Sequence, residues 1–127
     1  MKVQFIIRLT LLVFCLSMMV ASAKANYQKG ILLYNSRHDN SKGSIADTTN
    51  INLAIKNFSI SIKDKNHSKQ SALYLLKSYY YKGEFAIHTD EEKKEVFNKG
   101  KLLGEQYIIK YPENPEFYYW YLVNLGS

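Results

Sequence analysis

Three histidines, a run of carboxylates and a surplus of tyrosines are the residues that could carry chemistry in this 127-residue chain. His38, His67 and His88 lie far apart, each in a polar loop or turn. No two of them share one helix face and no pair of cysteines joins them, so a metal site is not expected. Asp90, Glu91, Glu92 and Glu95 crowd together. A general acid needs burial to raise its pKa, whereas a helix start beside Lys93 and Lys94 stays in water. The cluster therefore reads as a capped, solvated face. The sequence holds no Gly-x-Ser-x-Gly, phosphate-loop or dinucleotide pattern. Neither a cofactor nor an enzymatic activity is expected.

The tyrosines are a different signal. There are 11, including the runs Tyr79-Tyr80-Tyr81 and Tyr118-Tyr119-Trp120-Tyr121. A helix turns about 100° per residue, so three consecutive tyrosines cannot all face one core. Tyrosine joins a large apolar body to a hydroxyl that wants a partner, which suits binding surfaces. Tyr80, Tyr81, Tyr119 and Trp120 are thus the candidate ligand or partner surface, lining a groove or an oligomer contact. The competing reading is that they fill space between helices. A small exported enzyme with an aromatic cleft would need a buried glutamate beside the tyrosines, and the sequence gives no sign of one.

The N-terminus carries an address. Met1, Lys2 and Arg8 make a positive start, Leu9 to Val20 is apolar, and small residues follow from Ala21 to Ala25. This is the order of a secretory signal peptide. Cleavage is expected after Ala25, with Ala23 the alternative, leaving a domain over 26–127 in the periplasm or outside the cell. An uncleaved anchor fits less well, because a span takes about 20 apolar residues. Lipidation at Cys15 fits less well too, because the large Phe14 precedes it. Removing Lys2, Arg8 and Lys24 lowers the formal charge from +6 to +3. That excess is too small to argue for nucleic acid, which an exported protein rarely meets. The domain has no cysteine after Cys15, so packing alone must hold it.

The elements that position the aromatics read as five helices. Tyr27, Ile31 and Tyr34 make a helical stripe over 26–36, and a polar loop broken at Gly43 follows. From Asp47 to Asp64 two periods compete. Ile51, Ile55, Phe58 and Ile62 fit a helix, while Phe58, Ile60 and Ile62 alternate as in a strand; helix is preferred because a lone strand would have no partner. A helix over 69–82 ends at Gly83 as a C′ residue. Thr89-Asp90-Glu91-Glu92 is a capping box opening a helix that Pro112 closes near Tyr111. Gly100 and Gly104, one turn apart, each disfavour a helix interior by about 1 kcal/mol, so a neighbouring helix is expected to approach closely there. Asn114-Pro115-Glu116 opens the last helix.

Tyr27, Ala72 and Phe117 are each 45 residues apart, and Gly30, Leu75 and Trp120 follow at the same offset. Such spacing suggests stacked helix pairs. Gly100, Gly104, Tyr107 and Pro112, followed by an aromatic helix, resemble a tetratricopeptide repeat. Gly104 and Tyr107 invert that repeat's bulk, and its usual length is about 34 residues. The expected fold is all-α, an α-α superhelix of TPR-like antiparallel helix pairs.

Over 27–126 the chain also resembles the helical T-component family associated with bacterial TRAP transporters. LYLLKSYYYKGEF and EEKKEVFNKGKLLGEQYIIKYPENPEFYYWYLVNLG carry the resemblance. It implies an exported, non-enzymatic helical scaffold that oligomerises and contacts a periplasmic solute-binding protein. That family's members are longer, which implies a domain incomplete at its C-terminal end and, as an alternative, a truncated fragment without independent function. An aromatic terminal helix without a polar cap points the same way.

Overall fold

The computed structural model describes the backbone of residues 1–127 and every side chain except those of Lys2, Leu16, Met19 and Val20. The chain is all-helical. Five α-helices, α1 (Lys2–Asn35), α2 (Thr49–Ser61), α3 (Ser68–Tyr81), α4 (Asp90–Lys110) and α5 (Pro115–Leu125), are joined by short turns, with a π-helical turn at Lys82–Ala86. No strand occurs among the described residues, only an isolated bridge between Lys42 and Ile45.

The helix expected over 26–36 is present as the end of a longer one. Residues 2–25 continue it as one rod. Alanine, serine and lysine across 21–25 are tolerated by helices, so nothing there breaks it. The rod changes character along its length. Val3, Phe5, Leu9, Leu12 and Phe14 are exposed, whereas Tyr27, Ile31, Leu33 and Tyr34 pack on the core. Among the described residues no helix is long and apolar enough to cross a membrane.

Helix α2 resolves the competing periods. Ile51 and Phe58 are fully buried, and Ile55 and Ile62 pack beside them, while Ile60 is exposed. A strand would have put Ile60 on the same side as Phe58. Asp47 accepts from the backbone N–H of Thr49, the first residue of the helix, at 2.8 Å, while the N-cap residue Thr48 makes no side-chain bond. In the loop before it, Asn40 and Gly43 take the left-handed conformation, with φ of 66° and 64°.

Successive helices pack as neighbours: α1 on α2, α2 on α3, α3 on α4 and α4 on α5. Helix α3 also meets α1 and α5, so it is the central element. One apolar cluster, Ala54, Phe58 and Leu75, closes the α1–α2–α3 side. The other, Ala72, Leu73, Leu76, Tyr107 and Phe117, closes the α3–α4–α5 side. Two buried hydroxyl pairs tie the elements: Ser61 to Ser71 at 2.7 Å, and Ser68 to Tyr107 at 2.8 Å. Each satisfies a polar group that would otherwise be costly to bury.

The glycines of α4 do what their spacing implies. A Cβ on Gly104 would stand 2.9 Å from the Cβ of Tyr121, and one on Gly100 would overlap the carboxamide of Asn124. Helix α5 thus lies directly against the α4 backbone. Asn124, 2% exposed, donates through Nδ2 to the carbonyls of Leu76 at 3.2 Å and Trp120 at 2.8 Å. It thereby pins α5 to α3.

Gly83 is a correction. It is not a left-handed C′ residue, and α3 does not stop there. The chain winds on through the π-helical turn, where Gly83 is buried because the ring of Phe97 sits on it; an added Cβ would lie 2.6 Å from Cζ of Phe97. The Phe85 carbonyl in this turn accepts from the N–H of Ala46 at 2.9 Å, tying the turn to the loop before α2.

Candidate functional site

The four aromatic residues singled out by sequence fall on two helices, and Phe85 of the π-helical turn joins them in one row. Tyr81 lies against Phe85 with ring centres 5.2 Å apart, and Phe85 meets Tyr80 edge-on at 6.4 Å. Tyr80 meets Trp120 at 6.0 Å, and Trp120 meets Tyr119 edge-on at 5.2 Å. These separations are those of favourable aromatic pairs. Helix α3 supplies Tyr80 and Tyr81, the π-helical turn supplies Phe85, and α5 supplies Trp120 and Tyr119. Tyr80, Tyr81 and Trp120 are half-buried, while Tyr119 is 60% exposed. The two readings of these residues therefore divide. Tyr80 and Trp120 do pack between helices, and Tyr119 projects from the end of the row.

The row has a cationic arm that sequence reasoning missed. The guanidinium of Arg37, just past α1, lies over the Tyr34 ring at 4.2 Å and the Tyr81 ring at 4.9 Å. Its Nη1 donates to the Tyr34 carbonyl at 2.8 Å, and the Tyr81 hydroxyl donates to the Arg37 carbonyl at 3.4 Å. On α3 the ammonium of Lys77 lies 5.1 Å over Tyr74 and 5.6 Å over Trp120. Tyr74 in turn meets Tyr34 edge-on at 5.3 Å. Both cations are within the range of a cation–π contact. The signal was legible for Lys77: Gln70, Tyr74, Lys77 and Tyr81 recur at helical spacing, one stripe of α3. For Arg37 the Tyr34 contact at i, i+3 is local, but its second partner Tyr81 is 44 residues away.

Burial pushes the Tyr34 phenol above its ordinary pKa of 10.0, against the pull of Arg37. Burial likewise raises Tyr79, with Lys99 opposing. These phenols stay protonated at neutral pH.

The other candidates sit elsewhere. Asp90, Glu91, Glu92 and Glu95 are all exposed. The Thr89 hydroxyl accepts from the Glu92 N–H at 3.4 Å and donates to the Glu92 carboxylate at 2.7 Å. The box therefore closes side chain to side chain, not onto the Thr89 N–H. The Lys99 ammonium holds Glu95 below the usual carboxylate range. His38 and His88 are exposed. His67 lies half-buried in the turn before α3: its Nδ1 lies 2.6 Å from the Asp64 carboxylate, and its ring sits tilted against that of Tyr27, 5.2 Å between centres. Among the described residues no group of three or more potential ligands could hold a metal.

The outer side of α5 is the second open feature. Tyr118, Tyr119, Leu122 and Leu125 are between 41% and 60% exposed, and Glu116 is the only charged residue in the helix. Searches among protein families, characterised proteins and solved structures find nothing that matches this chain.

Proposed function

We propose that this chain is an exported, non-enzymatic helical-repeat scaffold that docks a protein partner or small ligand through the row Tyr81–Phe85–Tyr80–Trp120–Tyr119. The observation that carries the reading is the row itself. Four aromatics from two separate runs come into one connected line, and its last member is left in water. Surface aromatics with an apolar body and a free hydroxyl are the residues that interfaces favour. Among the described residues every glutamate is exposed except the half-buried Glu105. A cleft enzyme would need a buried one beside the tyrosines.

In this reading the segment over 1–25 is removed on export and the domain over 26–127 works in the periplasm or outside the cell. Its helix pairs stack as TPR-like repeats. By its resemblance to the T-component family, the partner is a periplasmic solute-binding protein of a TRAP-type system, and a second copy of the chain is the further candidate. A second reading is favoured by the apolar outer side of α5: further helices of a longer chain cover it, and the piece over 26–127 has no independent function.

The test is site-specific photo-crosslinking in the producing cell. A photoreactive residue at Tyr119 is expected to capture one discrete partner, and the same residue at exposed Asn98 on α4 is not. Equal capture at both positions, or none at Tyr119, would overturn the docking reading.

A further inference from the structure

The cations beside the aromatic row say what kind of partner it fits. We propose that the strip formed by Arg37, Tyr34, Tyr74, Lys77, Tyr81 and Trp120 binds an acidic segment of a partner protein, its carboxylates meeting Arg37 and Lys77 and its apolar groups lying on the rings. The inference rests on the docking reading and names the chemistry of the partner.

The strip is continuous. Arg37 bridges Tyr34 of α1 to Tyr81 of α3, Tyr34 meets Tyr74, and Lys77 bridges Tyr74 to Trp120 of α5. It thus crosses all three helices that the 45-residue offset relates. Both cations are held in place by rings and not by acids. Among the described residues the ion pairs are His38 with Asp39, His67 with Asp64 and Lys99 with Glu95, so neither Arg37 nor Lys77 has a carboxylate within 4.0 Å. A cation over an aromatic face keeps its outward N–H groups free and has given up part of its hydration. A carboxylate arriving from outside then gains a charge-assisted hydrogen bond at reduced desolvation cost. Nε of Arg37 is buried without a partner and Nη1 donates to the Tyr34 carbonyl, so a carboxylate arriving from outside meets the Nη2 end of the guanidinium. Asp39, two residues from Arg37, pairs with His38, and Glu84 and Glu116 are exposed; none of the three pairs with either cation. The surface is therefore complementary to negative charge supplied from elsewhere.

The chain carries its own reporter. Trp120 is its single tryptophan, and Lys77 lies over its ring. The experiment follows Trp120 emission in the full chain during titration with a short glutamate-rich peptide, its glutamine counterpart and single-stranded oligothymidylate. A saturable change with the glutamate peptide is expected, weakening as salt rises. Lys77→Ala or Arg37→Gln should weaken it by about tenfold or more, the loss of one charge-assisted hydrogen bond. Lys77→Arg should retain it, and Lys101→Gln on α4 should leave it unchanged. Circular dichroism checks that each variant is helical. Equal response to the glutamine peptide would overturn the acidic preference while leaving the docking reading in place. Tighter response to oligothymidylate, or equal weakening by Lys101→Gln, would overturn the proposal as general attraction to a basic chain. No response to any probe would overturn the acidic-segment proposal, while the docking reading stands or falls on crosslinking at Tyr119.

Discussion

On the inner side of α5, Phe117 is fully buried and Asn124 nearly so; on the outer side Tyr119 and Leu122 are each 60% exposed. The two sides are built from the same kinds of residue. What separates them is angle: Phe117 and Asn124 point at α3 and α4, and Tyr119, two residues on from Phe117, points away. The same pattern of residues that closes a core on one side therefore leaves an apolar face on the other. By contrast α2 is covered by both α1 and α3, and its two largest buried residues, Ile51 and Phe58, are fully enclosed. Burial in this molecule follows position in the stack more closely than it follows composition.

Substitutions can break that contrast, and the largest effect belongs to the inner side. Phe117→Ala removes a fully buried ring from the cluster around Leu76 and Tyr107, and is expected to cost about 3–5 kcal/mol in urea unfolding. Next comes the α4–α5 contact. Gly100→Ala places a methyl group in the space of the Asn124 carboxamide, and overpacking of this kind costs about 1–3 kcal/mol. If the contact were loose, the same change would stabilise α4, because alanine is the better helix former. Thr89→Ala should cost about 1 kcal/mol, with faster hydrogen exchange in the first turn of α4.

The buried phenols sharpen the contrast through pH. The folded-state pKa values of Tyr79 and Tyr34 are raised, so the folded chain holds these protons more tightly than the unfolded chain does. Their contribution to stability is complete below the unfolded value of about 10 and is lost as pH climbs through the raised folded values. Unfolding midpoints measured across this alkaline window should fall, and Tyr79→Phe should flatten the fall. The smallest stability effect belongs to the outer side: Tyr119→Ala and Leu122→Ser should each stay within about 0.5 kcal/mol while reducing partner capture.

The helices were largely legible in the residues, because capping and periodicity are local. Thr89, Asn114 and the stripe from Ile51 to Ile62 each act within a turn or two of chain. The expectation at Gly83 failed for a nonlocal reason. The ring of Phe97, from the next helix, occupies the space a side chain would take, and no residue near Gly83 announces it. That residues 2–25 continue the first helix was not read from the sequence, because the small residues at 21–25 carry no helical stripe. Of the site, the sequence pointed to Tyr80, Tyr81, Tyr119 and Trp120 through their surplus. It could not show that Tyr80 meets Trp120 or that Arg37 reaches Tyr81, since those contacts join elements far apart in the chain. Ser61 with Ser71 and Ser68 with Tyr107 were hidden for the same reason.

The measurement closest to the central claim is a comparison of tyrosine modification at Tyr118 and Tyr119 in the purified chain and in the cells that make it. Both side chains are open to water in the isolated chain, so both should react there. If the outer side of α5 and the end of the aromatic row are a docking surface, the two residues should be protected in the cell, while the half-buried Tyr111 at the end of α4 reacts as before. Equal modification in both settings would contradict the account.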